Sequence, residues 1–138
     1  MTFEEIRLAI VGRMATFPGI DDSRIDYPND GRFDPPETGL WCRLNIQHAN
    51  AFMAGMAEKP YTRKPGQIVI QCFAREQSGI GQLNRLADAL DAHFAYWVQG
   101  DLECLEASQA VVGTGDRAGN PSGTGFYQIN VNIRFRAG

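Results

Sequence analysis

The stretch FYQINVNIRFRA (126–137) alternates without a break, setting Tyr127, Ile129, Val131, Ile133 and Phe135 against Gln128, Asn130, Asn132, Arg134 and Arg136. Successive side chains of a strand point to opposite faces, so this run is a strand with one apolar and one polar face. A sheet built around it needs cover on one side only. The rest of the chain has to supply that cover and leave the other side open.

Two helical patterns provide it. Thr2 and Glu5 have the spacing of a capping box, and Phe3, Ile6, Ile10, Met14 and Phe17 then form one apolar stripe that Pro18 and Gly19 stop. Ser78 is expected to cap a second helix, whose stripe of Leu83, Leu86, Ala87, Leu90, Phe94 and Trp97 lies opposite Arg85, Asp88 and Asp91, with Gly100 ending it. Between them, LWCRLNIQ (40–47) alternates Leu40, Cys42, Leu44 and Ile46 against Trp41, Arg43, Asn45 and Gln47, and QIVIQCF (67–73) is a second strand. A less regular strand is expected over LECLEASQAVV (102–112), and an irregular connection over Ile20–Gly39. The order is α-β-β-α-β-β. It predicts one α+β domain over 1–138, a mostly antiparallel or mixed four-stranded sheet with two main helices packed on one face.

Composition narrows the function classes. A length of 138 residues suits one domain, and 43% hydrophobic with 21% charged residues is ordinary for a globular chain. No apolar run approaches the roughly 20 residues of a membrane span. The opening MTFEEIRLAI carries glutamates where an export signal carries basic residues, so the chain is expected to stay in the cytoplasm. A net charge of −3 gives no basic footprint for nucleic acid. Cys42, Cys72 and Cys104 are expected to be reduced and functionally silent, with Cys42 and Cys72 meeting across neighbouring strands as core residues.

The chemistry-bearing residues do not assemble into a catalytic motif. GTGDRAGNPSGTG (113–125) lies between two strands, whereas a phosphate-cradling loop runs from a strand into a helix, and it lacks the Gly-Lys-Ser/Thr ending. It reads as a mobile hairpin tip. In DYPNDGRFDPPE, Asp26, Asp30, Gly31, Asp34 and Glu37 occupy EF-hand loop positions 1, 5, 6, 9 and 12, but Pro28 spoils the third position and no flanking helix pair is present. Cys42 and His48 share a strand face about 20 Å apart, too far for one zinc ion. His93 lies off the main stripe of its helix, and Asp88 and Asp91 read as a solvated pair. No catalytic residue, metal or cofactor is expected.

The segment AFMAGMAEKPYTRKPG (51–66) stands out because it joins two strands with no evident secondary structure. Phe52, Met53, Met56 and Tyr61 suit an adaptable contact surface and Arg63 and Lys64 a charged rim, mobile until a partner orders it. The plainer reading is a hairpin whose apolar residues fold back on the core. Gln128, Asn130, Asn132 and Arg134, on the polar face of the last strand, complete the interface candidates.

The layout resembles the tail-terminator family of long-tailed bacteriophages, the minor tail protein U-like proteins. The likeness covers most of the chain and rests on the MTFEEIRLAIVGRM helix, the Trp41 strand, YTRKPGQIVIQCF, the GIGQLNRLADALDAHF helix and GFYQINVNIRFRA. It implies a structural protein of the virion tail, assembled in the bacterial host cytoplasm. Copies would form a hexameric ring on the tail tube protein and present a surface to the head-tail connector protein, with DNA only passing through the lumen. Alternatives are another neck or head-tail completion protein, or a small-ligand-binding or enzymatic domain using the glycine-rich loop.

Overall fold

The structure, a computed structural model, describes residues 1–53, 62–114 and 125–138. Helix α1 spans Phe3–Ala15, followed by a 3₁₀ turn at Asp22–Arg24, β1 at Ile25–Asp26 and β2 at Trp41–His48. Then come β3 (Phe52–Met53), β4 (Thr62–Arg75), α2 (Gly81–Phe94), β5 (Val98–Gln99), β6 (Leu102–Thr114) and β7 (Phe126–Ala137). Six strands lie in the order β1-β2-β4-β7-β6-β5, and β3 pairs with β4 beside them. Among the described strands only β1 on β2 is parallel. The pairs β2-β4, β4-β7 and β7-β6 are antiparallel, which makes a mixed sheet.

The α+β class and the six main elements agree with the sequence reading, but four strands undercount the sheet. The expected strands are its centre, and the additions β1, β3 and β5 are each two residues long, too short to display a period. Ile20–Gly39 is accordingly less irregular than expected. Strand β4 starts at Thr62, five residues before the expected Gln67, because Pro65 and Gly66 read as breakers yet sit paired with Arg136 and Phe135.

Both helices cover one face. Thr2 and Glu5 form the reciprocal capping box, with Thr2 Oγ1 accepting from the Glu5 backbone N–H at 3.0 Å and Glu5 accepting from Thr2 N–H at 3.0 Å. Ile6, Ile10 and Met14 from α1 join Leu83, Leu90 and Phe94 from α2 over Ile129, Val131, Ile133 and Phe135 of β7. Each such side chain contributes about 1.5–3 kcal/mol when fully withdrawn from water. Phe3 departs from its expected stripe: at the first position of α1 it is 54% exposed and meets the His48 ring edge-on, with centroids 4.8 Å apart. Ser78 does not cap α2. Its hydroxyl donates to the Arg75 carbonyl at 2.6 Å, and α2 starts three residues later without a side-chain cap. Gly100 does not end α2, which stops at Phe94. With φ of +59° it turns the two-residue loop between β5 and β6, a conformation glycine adopts without a Cβ clash.

Cys42 stands directly opposite Cys72, as expected of core neighbours, and both are buried free thiols, like Cys104. The Cys42 partner and burial push the Cys72 thiol well up, and burial pushes Cys104 up to about 12. Cys72 and Cys104 are thereby held in the neutral form, and a neutral thiol is a poor nucleophile.

Candidate functional site: the open face of the sheet

The face away from the helices is built by the even-numbered residues of β7 and the side chains that align with them. Register sets Gln128 opposite Phe73, Asn130 opposite Gln71, Asn132 opposite Val69 and Arg134 opposite Gln67. One strand further, Trp41, Arg43, Asn45 and Gln47 of β2 face Phe73, Gln71, Val69 and Gln67. The result is a four-strand surface with an aromatic end and an amide-rich end.

At the aromatic end Trp41 stacks on Phe73 with centroids 4.0 Å apart and meets Phe126 edge-on at 5.4 Å, while Phe33 tilts against it at 5.3 Å. Arg75 lies over the Phe126 ring at 4.3 Å and donates to the Glu37 and Pro36 carbonyls at 2.6 and 3.2 Å. Arg43 stands over Trp41 at 5.4 Å and pairs with Asp26 at 3.0 Å. This end is a small second core that pins the segment preceding β2.

At the other end the amides bond to one another. Asn45 donates to Gln71 at 3.2 Å and Gln67 to Gln47 at 2.9 Å. Arg134 pairs with Glu106 at 2.5 Å and Arg136 with Glu103 at 3.0 Å. Arg43, Arg134 and Arg136 on this face therefore each have a carboxylate beside them. The Arg134 pair also helps hold the Glu106 carboxyl below its ordinary range, after a backbone hydrogen bond. A depression of about 410 Å³ opens where Gln47, Gln67, Arg134 and Phe135 surround Gly66. A Cβ on Gly66 would run into the Gln47 carbonyl and stand 2.6 Å from Phe135 Cζ, so only glycine lets the strands close there.

Of the interface candidates, Asn130, Asn132 and Arg134 lie together on this face as expected. Gln128 does not belong with them as an accessible residue. It is 1% exposed at the aromatic end, where its amide donates to Asn130 at 2.7 Å and its own carbonyl oxygen has no partner among the described residues. The 51–66 candidates divide. Met56 and Tyr61 lie outside the described residues, as do 115–124 of the glycine-rich stretch. Phe52 and Met53 form β3, paired with Arg63 and Thr62, so the ends of this segment are strand rather than irregular connection. Lys64 is not a loose rim charge: its ammonium donates to the Met1 carbonyl at 2.7 Å and lies 5.2 Å from the Phe3 ring centre.

Arg43, Asn45, Gln47, Gln67 and Gln71 belong to the face but were not singled out, although period two in LWCRLNIQ and QIVIQCF places them on its polar side. Elsewhere, Asp26 turns to Arg43 and Asp34 to Arg32 at 3.0 Å, and among the described residues no three His, Cys, Asp or Glu side chains converge as a metal group would. His93 Nε2 donates to the Arg13 carbonyl, 2.8 Å away, joining the two helices. No described helix is long and apolar enough to cross a membrane.

No protein-family model matches the chain, and no curated protein matches it. Seven solved chains match. One of them is 16% identical and superposes with a TM-score of 0.67, over 100% of this chain and 96% of its own length. At that identity the likeness concerns the fold alone: the same arrangement is carried by a very different sequence.

Proposed function

We propose that this protein is a structural phage tail protein of the terminator type, which caps the completed tail tube as a ring of identical copies and prepares it for head-tail joining. The observation that carries the reading is the open face, where one side of a central four-strand sheet has, among the described residues, no helical layer and is furnished with paired amides. A catalytic pocket concentrates a few perturbed groups in a cleft. This surface instead spreads exchangeable hydrogen-bonding groups over several strands, which suits contact with other proteins. Arg43, Arg134 and Arg136 are each matched by a carboxylate, which limits the positive charge offered to DNA passing by. The segments that carry the family resemblance fall on α1, β2, β4, α2 and β7, the elements that build both faces.

The partners are further copies of the chain, the tail tube protein and the head-tail connector protein, and the site of action is the virion tail. Deleting the gene from the phage or prophage that carries it should yield tails of uncontrolled length without joined heads, scored by electron microscopy. Particles with normal tails would refute the reading.

A further inference from the structure

The long strands β2, β4, β7 and β6 alternate in direction, and the two outer ones are only partly covered. On the β6 side, β5 pairs with Leu102 and Glu103 alone. Just beyond, the Trp97 carbonyl accepts from Cys104 N–H at 2.8 Å, and Tyr96 N–H donates to the Leu105 carbonyl at 3.1 Å. From there the strand runs on, and between its two register shifts Ala107–Val111 pairs regularly with β7 on one side and, among the described residues, with no strand on the other. On the opposite edge, β1 covers Cys42 and Arg43, which leaves Leu44–His48 of β2 in the same condition.

A bare row of N–H and C=O groups is a template for another strand, and edges are commonly protected by lysine or proline. Neither residue occurs in Ala107–Val111 or Leu44–His48. The β5–β6 border also keeps Tyr96, Val98 and Val111 exposed, at 74%, 60% and 61%. Tyr96 is held there at a φ of +61°, costly for an aromatic residue.

We infer that Ala107–Val111 of one copy pairs with Leu44–His48 of the next, continuing the sheet from subunit to subunit. Three features of the structure select a second copy as the occupant. The runs are equal in length, five residues each. Four alternating strands end antiparallel to where they began, so a copy repeated in the same orientation presents β2 antiparallel to β6, the favourable ladder. Aligned end to end, the runs also match in face. Ser108 meets Gln47 and Ala110 meets Asn45 on the open side, while exposed Val111 meets Leu44 on the helix side.

A head-to-tail contact satisfies both edges of every copy only when it closes into a ring, and on that point the inference rests on the function proposed above. The pairing of two β6 edges about a two-fold axis would instead leave every β2 edge open.

The test is oxidative cross-linking of the full chain carrying Gln47→Cys with Ser108→Cys, two exposed positions, at high protein concentration. A second pair, Gln47→Cys with Ala110→Cys, samples the register two residues along. Cys42, Cys72 and Cys104 are buried and stay out of the exchange. One of the pairs should give a reducible ladder of covalent oligomers extending past the dimer, and each single variant should give none. Adding Val111→Lys should abolish the ladder while leaving the thermal melt in place.

Absence of a ladder from both pairs overturns strand addition, and rings still visible by electron microscopy would then leave the proposed function standing on another contact. A ladder from open chains that never close supports the pairing and overturns the ring. A dimer from Ser108→Cys alone, or a ladder that survives Val111→Lys, overturns the pairing in favour of a different contact.

Discussion

The two faces of the same sheet obey different rules. On the helix side the choice of residue follows from burial alone, and Ile68, Ile70, Leu90, Phe94, Ile129 and Ile133 are apolar because water is excluded there. On the open side the aromatic cluster is confined to the Trp41 corner, and beyond it the surface is mostly amide and charge, with Val69 buried among the amides. A sheet needs only one dry face to be stable. The difference therefore separates what holds the fold from what is available for partners, with the aromatic corner on the wet side belonging to the fold.

Substitution tests that division. Phe94→Ala and Trp41→Ala should each cost about 3–5 kcal/mol in denaturant unfolding, although they lie on opposite faces. A cost for Trp41→Ala below about 0.5 kcal/mol, the range of surface positions, would make the aromatic corner part of the wet face after all. Gly66→Ala should cost about 1–3 kcal/mol, because the added methyl forces β2 and the Phe135 ring to move. A neutral result would show that the strands have room to separate at that end.

The next effect appears only at high pH. Cys104 has its folded pKa raised from 9.0 to about 12 by burial. A raised folded value means that its stabilisation is complete below pH 9 and is lost as pH climbs towards 12, where the unfolded chain gains by ionising first. Cys104→Ala should flatten the alkaline slope of stability in that window, measured by urea melts at successive pH. An unchanged slope would place the titration on other groups, Cys72 among them. The smallest effect is expected from Asn132→Ala, within about 0.5 kcal/mol, since its side chain supports no part of the core. A larger loss would mean that the amide layer is structural.

Much of this was legible in the sequence, and the failures have causes. Strict alternation in 126–137 placed Ile129 to Phe135 inward and Asn130, Asn132 and Arg134 outward, because period two has only one solution once one face is dry. Gln128 was misread because alternation records the face and not the neighbour: Phe73 and Phe126 turn that stretch of the wet face into an interior. Phe3 was misread because the stripe runs off the end of α1, where its ring meets only His48 and the Lys64 ammonium among the described residues and stays 54% exposed. Ser78 was the right residue type for a cap, two positions early, since Ile80 holds the cap position, and its hydroxyl serves the preceding turn instead. The free edges were invisible in the sequence, since they depend on which strands become neighbours.

The central claim is that the open face serves assembly and not folding. It is tested most directly by a variant carrying Asn132→Ala and Arg134→Ala, which leaves the Asn130 acceptor of buried Gln128 in place, with melting temperature and capping of purified tail tubes measured on one preparation. The account predicts a melt close to that of the parent chain and tubes left uncapped. Full capping by the stripped variant would contradict it.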